Sequence, residues 1–466
     1  MRSAMMIETA RQDRQISLAI PAAITLGWIL TLLIAPDLGL IAYAAPLVVP
    51  AVCLALVGLY HSPRRCPLTT ILLLVTVTFV LSLNFRQREL GETGLDWQNG
   101  TKFVVWSAII GLGILRWREL AALMGKPLTG LSLTYAAIAL LSATWSEVPA
   151  YTAASAIGML AYLVLACLLV RDLNEVAILR IVVGSLAAYI MAGLLAGALS
   201  FDIAWLAPSA DESINRLQGF SGHPNTFGQQ AAVFITLTVI AWRLRAFGNG
   251  AACALLIIGC VAILASGSRT NLAAALIAWF VIALRSSPWR HMVVLAGMTA
   301  VATLLMIAAT GDLSEIGALA KGLSRTGAEG EVFTLTGRTE LWATAWHLIT
   351  EKPLFGWGYN GIEDIMSRTV SVGFEGTAIN AHNMLLQSLA SLGFVGSLPA
   401  IAAISLLCLR FFTKPDPARD QIAVLLLVSG LGEVGIAATP ILLTVVVFYF
   451  FARDGQQCVG SRRHEL

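Results

Sequence analysis

The chain runs to 466 residues, of which 57% are hydrophobic and only 12% charged. With a mean hydropathy of +0.79 it carries more apolar surface than a soluble fold can hide, which defines a polytopic membrane protein. A net charge of +3 is too small to suggest a nucleic-acid binder, and seven scattered cysteines without a CxxC or Cys/His cluster support neither a disulfide framework nor a zinc site.

Apolar runs long enough for helices begin near residues 16, 39, 68, 102, 128, 150, 178, 226, 249, 270, 291 and 384. The first reads as an uncleaved membrane helix. A last apolar stretch, residues 421–451, is interrupted by Gly430, Gly432, Gly435 and Pro440, which favours a break. Whether it crosses once, crosses twice or re-enters stays open. The expectation is an all-α bundle of roughly 12–14 membrane helices. It divides into an N-terminal transmembrane bundle (1–309), one large loop (310–383), and C-terminal helices with a tail (384–466).

Short-loop lysines and arginines set the orientation. With the N-terminus inside, alternate loops carry Arg64 and Arg65, then Arg116, Arg118 and Lys126, then Arg171, Arg243 and Arg245, Arg285 and Arg290, and finally Arg410, Lys414 and Arg419. One loop departs from the pattern: Arg86 and Arg88 fall outside, where Glu89, Glu92 and Asp96 offset them. The polar segments not explained as basic anchors therefore share the outer face. They are residues 145–149, 201–225, 266–271 and 310–383.

Within the large loop, residues 337–350 read as an amphipathic helix, with Leu341, Trp342, Ala345 and Leu348 at three- and four-residue spacing. It stops at Glu351-Lys352-Pro353. The run Gly356-Trp357-Gly358-Tyr359-Asn360-Gly361 that follows suits a tight loop on a membrane surface or a sugar face, and lacks the GK[ST] ending of a phosphate loop. Arg269 lies in a polar turn, Ser266-Gly267-Ser268-Arg269-Thr270-Asn271, and is either an interfacial anchor or part of an anion-binding mouth. Arg216 precedes a helix opening at Asn225-Thr226, a natural N-cap. An arginine beside a helix N-terminus suits phosphate, while a salt bridge to Asp211 or Glu212 is the structural alternative. His382, with Asn383, ends the loop where the chain re-enters the membrane, fit for helix capping or for proton transfer. Glu433 is the clear charge in an otherwise apolar stretch. His223 could line the site but reads rather as a capping or loop residue, and His347 as a packing residue.

These segments, in this order, resemble the O-antigen ligase and Wzy-type polymerase superfamily, including exopolysaccharide polymerases of rhizobial type. The resemblance rests on Leu141-Ser142-Ala143-Thr144-Trp145-Ser146 with Pro149, Gly219-Phe220-Ser221-Gly222-His223-Pro224-Asn225, residues 266–270, Gly337-Arg338 with Trp342, Pro353-Leu354-Phe355-Gly356-Trp357-Gly358, and His382-Asn383 ahead of Gly393. It implies a GT-C-like glycosyltransferase of the bacterial inner membrane, working at the periplasmic face without metal or cofactor. Its donor would be an undecaprenyl-diphosphate-linked glycan and its acceptor a lipid-linked glycan or lipid A-core, with a chain-length regulator as a further partner. Carried over, His382 matches the proposed general base, Arg216 and Arg269 match arginines proposed to hold the diphosphate, and Arg338 is a further candidate for that role; Asn225, Trp357, Asn383 and Glu433 are candidates for glycan contact. A repeat-unit polymerase is preferred over a ligase, and both over a flippase or transporter, whose ionisable residues would lie at mid-membrane.

Overall fold

The computed structural model describes residues 67–81, 97–206, 215–285, 338–369 and 380–462. The expected spans near residues 16, 39 and 291 lie outside the described residues, as do Arg64, Arg65, Arg86, Arg88, Asp211 and Glu212. The described chain is all-α, apart from a two-residue antiparallel pairing of β1 (Trp205–Leu206) with β2 (Arg216–Leu217).

The helices are α1 (Pro67–Val75), α2 (Trp97–Leu115), α3 (Trp117–Met124), α4 (Pro127–Leu141), α5 (Pro149–Asp172), α6 (Glu175–Ala198), α7 (Pro224–Arg243), α8 (Asn249–Ala265) and α9 (Arg269–Arg285). After a gap come α10 (Arg338–Glu351), α11 (Gly361–Thr369), α12 (Met384–Thr413), α13 (Pro417–Ser429) and α14 (Leu442–Arg462). Among the described residues, 127–144, α5, α6 and α12 are long and apolar enough to cross a membrane, which makes this a multi-pass membrane protein. Helix α5 is buried nearly all round because α2, α4 and α14 pack about it. The 421–451 stretch is broken as its glycines suggest: α13 ends at Ser429, residues 430–441 are irregular, and α14 follows.

The bundle has two polar ends, and four helices relate them. At one end the sequence-predicted anchors are tied to acids. Arg116 reaches Asp172 at 2.9 Å, and Arg285 reaches Asp420 at 2.5 Å. Arg453 joins Asp416 at 2.7 Å, and buried Arg419 and Arg410 share Asp454. Helices α7, α9 and α12 finish at this end, at Arg243, Arg285 and Arg410; α13 starts there, capped by Asp416 through the amides of Ala418 and Arg419. Their other ends carry Asn225, Arg269, His382 and Gly430. Asn225, Arg269 and His382, all expected on the outer face, thus lie away from the basic anchors.

Helix α12 is bent. Its 30 residues would rise about 45 Å if straight, whereas the 13 residues of α13 rise only about 20 Å, yet the Met384 amide donates to the Gly430 carbonyl at 2.8 Å. The bend is at Gly393, where φ is +66°. Residues 394–413 make a span of about 30 Å, and residues 384–392 form an arm that returns toward the end of α13. The backbone groups freed by the break are taken up by the loop elbow. Phe394 N donates to Pro353 O (2.8 Å) and Val395 N to Leu354 O (3.1 Å), while Trp357 N and Gly358 N donate to Ala390 O and Ser391 O (3.0 and 2.8 Å). The arm also shares a separate apolar cluster with α10 and α11, built from Leu341, Leu348, Ile349, Ile362, Met366 and Leu389.

A Cβ at Gly393 would lie 2.3 Å from the Leu354 carbonyl, in a backbone region costly to side chains. Gly393→Ala is therefore expected to destabilise the arm by about 2–4 kcal/mol. Limited proteolysis of the elbow checks this: wild-type resistance in the variant would contradict it.

Candidate active site

Residues 430–441, the arm and α10 bring three of the predicted residues together. His382 has φ +42°, and its amide is held by Asn380 Oδ1 at 3.1 Å. This left-handed turn aims the imidazole at the irregular segment, with Nδ1 lying 3.5 Å from Glu433 Oε2. Glu433 Oε1 lies 3.3 Å from Arg338 Nη2, and Arg338 Nη1 donates to Thr270 Oγ1 at 3.3 Å. Gly432 makes this possible: a Cβ there would lie 2.4 Å from Arg338 Nη1. The His382, Arg338 and Glu433 side chains are each less than a fifth exposed, open enough for a ligand and closed enough to strengthen their charges.

A second cluster adjoins the first through the 266–271 turn. Arg216 is buried; its Nε donates to Ser266 O at 3.0 Å and its Nη2 to Asn225 Oδ1 at 2.6 Å. Asn271 donates to Asn225 O (3.2 Å) and Ser268 Oγ (2.9 Å). Thr270 and Asn271 are consecutive, so one turn carries a contact to Arg338 on one side and to Asn225 on the other. Between these clusters Arg269, the first residue of α9, is exposed. The arrangement offers an imidazole, a carboxylate and fixed guanidinium groups at one end of a membrane bundle, which is the equipment for holding an anionic group beside a base.

Several predicted residues have local tasks. Asn383 caps the arm by accepting from the amides of Leu385 (3.0 Å) and Leu386 (3.1 Å). Trp357 donates its indole N–H to Leu348 O at 2.9 Å and carries the Lys352 ammonium 3.5 Å over its ring. Asn225 is not the cap of α7: His223 holds that position, accepting from the Asn225 amide at 3.1 Å, because Pro224 already fits the first helical turn. His347 is exposed and pairs with Glu351 at 3.2 Å rather than packing.

Sequence reasoning missed Glu363, on α11. It accepts from Tyr151 Oη at 2.8 Å; that hydroxyl also lies 3.1 Å from Thr439 Oγ1, which accepts from Asn360 Nδ2 at 2.8 Å. Burial pushes the Glu363 carboxyl up to about 7, against the lowering effect of the Tyr151 hydrogen bond. No local signal marks it, because Tyr151 and Thr439 are remote in sequence. A carboxyl raised on folding contributes most below its ordinary range of about 4.5, and loses that contribution as pH rises through about 7. Glu363→Gln is thus expected to match the wild-type melting temperature near pH 4.5 and to exceed it by on the order of 2 °C near pH 8. A constant difference across that range would contradict the burial.

Residues 253–401 match the family model described as O-antigen ligase. The match takes in Arg338, His382 and Thr270 of the first cluster, with Arg269 and Asn383, and ends before Glu433. That stretch of the chain is thus similar to the O-antigen ligase and Wzy-type superfamily. The match supports, in general terms, an enzyme of ligase or polymerase type acting on lipid-linked glycans. No curated protein matches the chain.

Proposed function

We propose that the chain polymerises undecaprenyl-diphosphate-linked oligosaccharide units at the periplasmic face of a bacterial inner membrane. The observation that carries this reading is the pairing of His382 and Arg338 through Glu433, beside Thr270 and Arg269 and opposite the basic anchors. The acceptor hydroxyl oxygen attacks the anomeric carbon, and its proton passes to His382 Nε2. The bond from that carbon to the diphosphate breaks, and the electron pair leaves with the lipid diphosphate. That group needs neutralisation rather than protonation, and Arg216, Arg269 and Arg338 provide it in place of a metal. One displacement inverts the anomeric centre. On this reading residues 1–309 and 384–466 belong to the membrane scaffold, and residues 310–383 are one large periplasmic loop. A chain-length regulator is a natural further partner.

The description of the matched family as O-antigen ligase favours a second reading, in which finished polymer passes to lipid A-core. Purified protein incubated with lipid-linked units, with and without lipid A-core, separates the two. A ladder without the second acceptor supports the polymerase; transfer only in its presence supports the ligase; transfer in neither removes both.

A further inference from the structure

Glu433 divides its carboxylate between two partners. It lies 3.3 Å from Arg338 Nη2 and 3.5 Å from His382 Nδ1, both long for charge-assisted contacts. His382 Nδ1 is buried and makes no hydrogen bond within ordinary geometry. The backbone around Glu433 is held on both sides: Gly430 O accepts from Met384 N, Ala438 O from the Tyr359 hydroxyl, and Thr439 from Asn360. What can move between the two partners is the carboxylate itself.

We propose that Glu433 is a positioning residue that couples diphosphate binding to the readiness of the base. The inference rests on the reading of His382 as base and Arg338 as anion holder. A diphosphate at Arg338 competes with Glu433 for the guanidinium. The displaced carboxylate then closes on His382 Nδ1, which fixes the tautomer with Nδ1 protonated and leaves the Nε2 lone pair for the acceptor proton. The same contact places a carboxylate directly against the ring. The charged groups placed around this imidazole are Glu433 and Arg338, with Arg269 next to Thr270, whose hydroxyl accepts from Arg338. An empty site leaves Nδ1 without that close partner, so the acceptor is activated only when a donor is present.

The test reads the imidazole and not turnover. Full-length protein in detergent is treated with diethyl pyrocarbonate near neutral pH, and His382 modification is followed by peptide mass spectrometry, with exposed His347 as internal reference. Inorganic pyrophosphate is expected to slow wild-type His382 modification about three- to fivefold. Arg338→Ala is expected to react slowly with or without pyrophosphate, because Glu433 is already released to His382. Glu433→Gln is expected to react quickly under both conditions. The coupling is overturned if Arg338→Ala reacts as fast as wild type, or if pyrophosphate slows Glu433→Gln as much as wild type. Should Glu433→Gln not fold, Arg338→Ala alone decides. Either failure leaves the transfer reading standing, since that reading is tested separately, by whether His382→Ala still transfers glycan.

Discussion

Replacing His382 by alanine is expected to lower glycan transfer about 100- to 10,000-fold while the protein stays inserted and abundant. The imidazole's recorded charged contact is with Glu433, and the arm it precedes is capped by Asn383 and anchored by Met384 N on Gly430 O. Removing the ring therefore leaves the arm's own supports in place. A structural role for His382 would show the opposite pattern, with lost protein and normal turnover per folded molecule. Initial rates with lipid-linked substrate, normalised to folded protein, separate the two, and a near-normal rate would sink the base assignment.

The second large effect falls on Arg269. Lysine keeps the positive charge that an interfacial anchor needs but loses the planar fork that grips two oxygens of a diphosphate. Arg269→Lys is expected to cost about 10- to 100-fold in kcat/KM, an effect of about 1.4–2.8 kcal/mol on the transition state. Insertion and stability are expected to be unchanged, because the side chain is exposed at the start of α9. Wild-type turnover in this variant would reduce Arg269 to an anchor. The contrast with Arg216 is physical: that guanidinium is buried and bonded to Ser266 and Asn225, so its replacement disturbs the 266–271 turn as well as any anion.

Much of the helical frame is legible in the sequence because apolar runs in a membrane have few alternatives. Runs expected near residues 128, 150 and 249 begin at Pro127, Pro149 and Asn249, and the loop helix expected over 337–350 spans Arg338–Glu351. The segregation of basic anchors from His382, Arg269 and Arg338 was also legible, since short-loop charge reports the side on which a loop lies. What the sequence did not reveal depends on contacts remote along the chain. The return of the arm at Gly393 is set by the loop elbow some forty residues earlier, which supplies the hydrogen bonds that the broken helix lacks. The anchors' partners, Asp172, Asp420 and Asp454, belong to other helices. Glu433 stood out as a lone charge, but its place between His382 and Arg338 follows from the fold alone.

The central claim is that a lipid diphosphate carrying a glycan sits at the His382, Arg338 and Arg269 end of the bundle. A lipid-diphosphate sugar with a photoreactive diazirine on its first residue tests this most directly, with crosslinks mapped by mass spectrometry. The account predicts labels within residues 266–271, at Arg338, and around residues 380–384 and 430–433, displaced by unlabelled lipid-linked substrate. Competable labels gathered instead about Asp172, Arg419 and Asp420, at the opposite end, would contradict it.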